Sequence, residues 1–307
     1  MIIDLKDGQH ISNQFLVGSV SKGTNNMGSQ YLNIELRDAS GAINGKKWEI
    51  SPDDESIVMV GNVIHVEGET LKYKDNLQVK ILSLRLVAPE DVDTSSFIKA
   101  PPIPKEVLIS KFEGYIKSIT NGDCLKLINY FLVKYKDKIY SYPAGVSVHH
   151  EYSSGLLVHI TTMLDIAEKL IDIYGDVDRD LLLTGIILHD LGKTKEFEGP
   201  VVYKYSLEGK LLGHISIMVG EIKEASDNLK ITSEIPLLLQ HMVLSHHNEP
   251  EFGSPVPPMT KEALMLSLID NMDSKIVIAS KALDVTDVGE FTQRIYALDN
   301  RSFYKHK

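Results

Sequence analysis

Six side chains in this chain can bind a metal or move a proton and yet stand among aliphatic neighbours: His159, His189, Asp190, His214, His246 and Asp270. Two of them are adjacent in GIILHDLGK, residues 185–193. An imidazole and a carboxylate in an oily segment are costly to bury unless each has a partner. The others lie in GLLVHITTML, LLGHISIMVG, MVLSHHNE and LMLSLIDNMD, at steps of 30, 24, 32 and 24 residues. Each taken alone is an ordinary hydrogen-bonded core residue. Taken jointly, four imidazoles and two carboxylates would cost several kcal/mol per ionised group to desolvate separately, by order of magnitude. One shared metal centre compensates them all. Imidazole and carboxylate ligands suit Mn, Fe, Co, Ni or Zn, and a single cysteine, Cys124, leaves no thiolate cluster for a structural zinc.

The segments that must carry these residues have apolar stripes at helical period. They are Lys105–Thr120, Cys124–Lys136, Gly155–Tyr174, Asp178–Leu191, His214–Leu229, Ser233–His246 and Thr260–Leu283, with Asp178 and Ser233 as expected N-caps. Before them the pattern is different. QFLVGSV, QYLNIELRD, INGKKWEI, VIHVEGETLKY and LQVKILSLRLV are five short strands, punctuated by Gly, Asn and Asp. Five strands in residues 1–90 predict a small barrel of the oligonucleotide-binding (OB) kind. Tyr31, Trp48 and Tyr73, with Lys46, Lys47, Lys72 and Lys74, could stack and neutralise a single strand there. The plainer reading is that the rings fill the barrel and the lysines keep it in solution. Residues 91–106, within VAPEDVDTSSFIKAPPIPKEV, have no periodicity and are expected to be a linker. The helical domain is then expected over 107–290 and a C-terminal tail over 291–307.

A net charge of −10 speaks against a protein that coats nucleic acid by bulk electrostatics, though not against a narrow site where metals hold phosphate. Nine of the eleven histidines fall at or after residue 149. The opening MIIDLKDGQH lacks the pattern of a signal peptide, and no apolar run approaches a membrane span of about 18 residues. With one cysteine, these features predict a cytoplasmic protein with no membrane partner; a homo-oligomer is compatible with them.

The order His159, His189-Asp190, Asp270 resembles the H…HD…D signature of the HD-domain metal-dependent phosphohydrolases. The stretches HHEYSSGLLVH, HDLGK, EGKLLGHI and SHHNEPEFGSPVPP, behind an OB-like barrel, resemble the YhaM-type 3′→5′ exoribonucleases along nearly the whole chain. The resemblance implies a multidomain protein, a small OB-like β-barrel followed by an all-α HD domain. It implies one metal held by His159, His189, Asp190 and Asp270, and a second held by His214 and His246 with Asp190 bridging. His247 would complete the second position or meet phosphate; Asp273 is a rival or supporting carboxylate; His149 and His150 would line the cleft.

Two divalent ions, Mn²⁺ first among them and Co²⁺ or Fe²⁺ next, suit phosphodiester hydrolysis by activating water and stabilising charge on the attacking and leaving oxygens. No Ser–His–Asp, Cys–His, Walker A or GxGxxG pattern is present, so neither a protein nucleophile nor nucleotide-triphosphate energy is called for. Lys193, a turn beyond His189, is placed to offset charge on the phosphate or leaving oxygen, or simply to complement a helix end. The expected activity is 3′→5′ hydrolysis of single-stranded RNA, and of single-stranded DNA as a second substrate, to nucleoside monophosphates. The alternative is an HD phosphohydrolase of a small nucleotide with a regulatory barrel.

Overall fold

The computed structural model describes residues 1–24, 28–74, 76–93, 96–97, 103–145, 154–199 and 203–307. The chain divides into two compact units, Met1–Ala100 with Gly199–Tyr203 and Pro101–Glu198 with Lys204–Lys307.

Strict apolar alternation builds the first unit. In β2 (Gln30–Asp38), Leu32, Ile34 and Leu36 are buried while Tyr31, Asn33 and Glu35 face outward, because successive side chains leave a strand on opposite sides. With β1 (His10–Thr24), β3 (Gly41–Trp48), β4 (Val63–Tyr73) and β5 (Asn76–Leu86), it closes a barrel in the order β1-β2-β3-β5-β4. The β3–β5 pair is parallel and the other pairs are antiparallel, so the barrel is the OB-like one expected. Its core gathers Phe15, Ile34, Ile43, Ile64, Val66, Val79 and Ile81. A short helix not expected from the periodicity, α1 (Pro52–Ile57), joins β3 to β4. Ser51 and Asp54 form its capping box.

Part of the expected linker belongs to this unit. Phe97 is buried with Leu16, Val63 and Val87, the last residue of the fifth expected strand, and the Ala39 N–H donates to the Ser96 carbonyl at 2.9 Å. One apolar residue in an irregular segment has no period to reveal it.

The second unit is helical: α2 (Lys105–Ser118), α3 (Gly122–Ile139), α4 (Gly155–Tyr174), α5 (Arg179–Leu188), α6 (Lys193–Glu196), α7 (Leu207–Asn228), α8 (Ile235–Ser245) and α9 (Lys261–Asp284). A two-stranded ribbon, β6 (Phe197–Glu198) with β7 (Lys204–Tyr205), sits between α6 and α7. Phe112, Phe131, Leu156, Met163, Leu182, Ile186, Met218, Leu239 and Leu266 share one core. The Asp178 carboxylate accepts from the Leu181 N–H, as an N-cap should. Ser233 does not cap α8. Its hydroxyl donates to Asp123, and the helix starts two residues later with Pro236 in its first turn.

Two helices depart from their periodic stripes. The Asp178–Leu191 segment stops being helical at Leu188, which leaves His189 as the cap and Asp190 in the turn beyond. The stripe expected from His214 is preceded by another helical stretch from Leu207, and the two are separated by a break at Gly213 (φ 70°, ψ 157°). In the C-terminal tail, Thr292 pairs with Phe303 and Ile295 with Arg301 through N–H donors at 2.9 Å, and Leu298 is buried.

Candidate metal centre

Asp190 is the point on which the histidines converge. His189 Nε2 lies 3.4 Å and His159 Nε2 3.7 Å from its Oδ2, while His214 Nε2 lies 3.5 Å and His246 Nε2 4.0 Å from its Oδ1. Asp270 on α9 stands opposite, its Oδ1 3.2 Å from His159 Nε2. His159, His189, Asp190 and His246 are all buried. The structure therefore gathers the six residues singled out above, one or two from each of α4, the end of α5, α7, the end of α8 and α9.

Each imidazole is aimed by what its other nitrogen does. His189 and His246, at the C-caps of α5 and α8, use the same local device. Their Nδ1–H groups donate to the carbonyls of Ile186 (2.8 Å) and Val243 (2.7 Å), three residues back. His159 Nδ1 donates to Asp273 Oδ2 at 2.6 Å, so Asp273 stands behind an imidazole. His214 Nδ1 is held at 3.2 Å by Glu196. With Nδ1 spent as a donor in His189, His214 and His246, their Nε2 atoms present lone pairs inward, which is the arrangement that outer partners impose on metal-binding imidazoles, while His159 Nε2 faces Asp270.

The fit to a cation is tested by what these inward atoms lack. Nε2 of His189, His214 and His246 and Oδ1 of Asp190 are buried without a hydrogen-bond partner among the described residues. Lone pairs of three nitrogens and a carboxylate oxygen that crowd one dry volume repel one another, and each unpaired atom costs about 1–3 kcal/mol. A cation removes the cost from all of them, and the donor set is one that borderline divalent ions accept. Ligand atoms fall within 4.8 Å of one another in three groups: His159, His189 and Asp190; His189, His246 and Asp270; and His214, His246 and His247. His247 thus sits beside the half of the centre built by His214 and His246. His149 and His150 lie outside the described residues.

Charge is arranged to keep the carboxylates ionised. Burial opposes ionisation of Asp190, but Lys193 and the imidazoles of His189 and His214 outweigh it and hold its carboxyl well below the usual range. Lys193 Nζ donates to Asp190 Oδ2 at 2.6 Å from a buried position, so its ammonium is committed within the protein. Burial likewise opposes ionisation of Asp270, and its hydrogen bond to His159 more than offsets this and lowers it far. Burial alone would depress His159; hydrogen bonds to Asp270 and Asp273 win, and its pKa rises to about 9.

Glu196 is not marked out by the sequence pattern. It is buried, on a four-residue helix, in a run of charges that resembles a solvated turn. The one signal was its place between Thr194 and Phe197, both buried here. The helix is fastened on both sides: Lys195 pairs with Glu221 Oε1 of α7 at 2.6 Å, and Lys138 of α3 donates to the Thr194 carbonyl at 2.8 Å. Lys134 of α3 takes the other oxygen of Glu221. Burial pushes the Glu221 carboxyl up, but its bonds to Lys134 and Lys195 prevail and lower it from its ordinary 4.5. A depressed folded pKa means that this contribution to stability is full above about pH 4.5 and is lost as pH falls through the lower folded value. Glu221→Gln is expected to cost about 1–3 kcal/mol at pH 7, discounted for the partly exposed lysines, and to flatten that acid limb in urea titrations.

In the barrel, Tyr31 and Trp48 are cross-strand neighbours with ring centroids 4.6 Å apart. Lys46 Nζ lies 4.9 Å from the Tyr31 ring, 5.7 Å from Tyr73 and 6.0 Å from Trp48. Four of the expected residues therefore share the outer face of the sheet. Lys47 does not join them; adjacent to Lys46 on a strand it leaves on the opposite side, and its ammonium donates to the Trp48 carbonyl.

A helical domain that collects histidines from several helices around a His-Asp pair is the arrangement of the HD domain, and residues 156–275 match that family. The chain is also 45% identical over 305 residues to the 3′-5′ exoribonuclease YhaM of Geobacillus sp. (strain WCH70), across 99% of this chain and 94% of that protein. It belongs to the YhaM family of HD-domain exoribonucleases. Among solved structures it is similar to the second OB-fold domain of replication protein A from Methanococcus maripaludis. The solution structure is 17% identical, covering 28% of this chain and 92% of that one with a TM-score of 0.24. A crystal structure of a domain of the same protein is 18% identical, covering 28% and 91% with a TM-score of 0.25. Among the described residues, no helix is long and apolar enough to cross a membrane.

Proposed function

We propose that this protein is a 3′-5′ exoribonuclease that removes nucleoside monophosphates from single-stranded RNA, and from single-stranded DNA as a second substrate, with a pair of divalent ions. The observation that carries the reading is the set of buried, unpartnered Nε2 atoms pointing at an Asp190 oxygen that is itself unpartnered. His159, His189, Asp190 and Asp270 would hold one ion. His214, His246 and the second oxygen of Asp190 would hold the other, with His247 beside it. Mn²⁺ fits this nitrogen and oxygen set, as do Co²⁺ and Fe²⁺. When bound, the ions would supply activation of water and charge stabilisation at the scissile phosphate.

The protein's own groups do the rest. Asp190 faces both halves of the centre because it lies beyond the helix end, where each of its oxygens is turned to different histidines. Lys193 keeps it ionised, and its positive charge beside Asp190 would help offset charge on a phosphate held at the centre. Tyr31, Trp48, Tyr73 and Lys46 offer stacking faces and a cation to an unpaired strand. Cytoplasmic action accords with Cys124, a single thiol buried in the helical core.

The test is product analysis on 5′-labelled single-stranded RNA with a free or a blocked 3′ end, across Mn²⁺, Co²⁺ and Mg²⁺. The expected result is a ladder that shortens only when the 3′ end is free, with monophosphates released. Equal loss of both substrates, or hydrolysis confined to small nucleotides, would count against it.

A further inference from the structure

We propose that Glu196 is the positioning residue of the second metal position, which holds the His214 imidazole with Nε2 toward Asp190; the inference rests on the two-ion reading above. Its Oε1 lies 3.1 Å from the His214 backbone nitrogen and 3.2 Å from Nδ1, and Oε2 also lies 3.2 Å from Nδ1. One carboxylate thus accepts from the main chain and the ring of the same residue.

The need for such an acceptor follows from where His214 stands. His189 and His246 close their helices, so each finds the carbonyl three residues back in helical position. His214 opens a helical run. The break at Gly213 interrupts the helical register immediately behind it. Glu196, eighteen residues back in the chain, accepts from both the N–H and the ring of His214, in effect capping the run that begins there.

The donor of this support is itself immobilised. Glu196 is 6% exposed. Its carbonyl accepts from the Ser206 N–H at 2.9 Å, and the pairs from Lys195 and Lys138 clamp its helix to α7 and α3. Gly192 lets the backbones meet: a Cβ there would lie 2.2 Å from the His214 carbonyl oxygen. Four residues, Lys193 to Glu196, therefore serve the centre from both ends, with Lys193 on the shared carboxylate and Glu196 on the imidazole across from it.

Two conservative variants separate reach from charge. Glu196→Gln keeps an acceptor at the right distance and loses the charge; Glu196→Asp keeps the charge and falls short by one methylene. Full-length proteins, checked for folding by their metal-free melting curves, are titrated with Mn²⁺ by calorimetry and followed by electron paramagnetic resonance. Wild type is expected to take two ions per chain with the signature of a coupled pair. Glu196→Gln should do so within about tenfold of wild-type affinity. Glu196→Asp should bind the first ion normally and the second about 10–100-fold more weakly, with an uncoupled signal at one equivalent. A second ion bound as tightly by Glu196→Asp as by wild type, or lost equally from both variants, overturns the proposal. Wild type that takes one ion overturns the two-ion reading and this inference together, a result distinct from either.

Discussion

Asp190→Asn is expected to lower turnover of single-stranded RNA by about 1,000-fold while the strand still binds. The substitution keeps the shape of the side chain and removes the charge that four imidazoles and Lys193 surround. Ions that stabilise phosphoryl charge contribute several kcal/mol to the transition state, and about 4 kcal/mol corresponds to three powers of ten in rate. An amide cannot replace a carboxylate shared between two halves of the centre, so metal content should fall along with rate. Asp273→Asn is the informative comparison. That residue accepts from His159 Nδ1, and loss of such a supporting hydrogen bond typically costs about 10–100-fold. Rate measured at saturating RNA, with metal content by elemental analysis, separates the two. An Asp190→Asn protein with normal metal content and near-normal turnover would remove Asp190 from the mechanism.

Trp48→Ala is expected to weaken binding of a long single strand by roughly 5–150-fold, the range that corresponds to about 1–3 kcal/mol for one lost base stack. Tyr31→Ala should behave alike, and the double variant should fall short of the product of the two. The rings are in contact, so their contributions are not independent. Lys46→Ala should lower the dependence of binding on salt by about one counterion, whatever the sequence of the strand. Hydrolysis of a dinucleotide, too short to span a second site, should hardly change in any of them. Trp48 is the chain's only tryptophan, so quenching of its emission by 3′-blocked RNA without metal reads the contact directly in the wild type. If all three substitutions left strand binding intact, the barrel would have another role.

Much of the fold was legible because it rests on local periodicity. QYLNIELRD and VIHVEGETLKY coincide with β2 and β4, and Gly155–Tyr174 with α4, since alternation at two or at 3.6 is a property of consecutive residues. What was missed has no period. Phe97 is an isolated apolar residue in an irregular segment, and the break at Gly213 interrupts a stripe that continues in composition on both sides. Ser233 has the side chain of an N-cap, yet its hydroxyl serves Asp123, a partner 110 residues away.

The six central residues were legible as well, because ionisable groups set in apolar helices need compensation wherever they end up. Their division of labour was not. Whether Asp273 binds or supports, and what holds His214, depend on pairs 114 and 18 residues apart that no spacing rule links. The sequence by itself determined the elements, the two kinds of domain and the chemical types available at the centre, since propensity and burial cost act on residues near one another in the chain. Only the tertiary structure decided which nitrogen of His159 and of His214 faces inward, that four imidazoles converge on Asp190, and that Glu196 lies against His214. Those are questions of angle and distance, and they are answered only when helices pack and a fixed donor leaves one lone pair free to point at its neighbours.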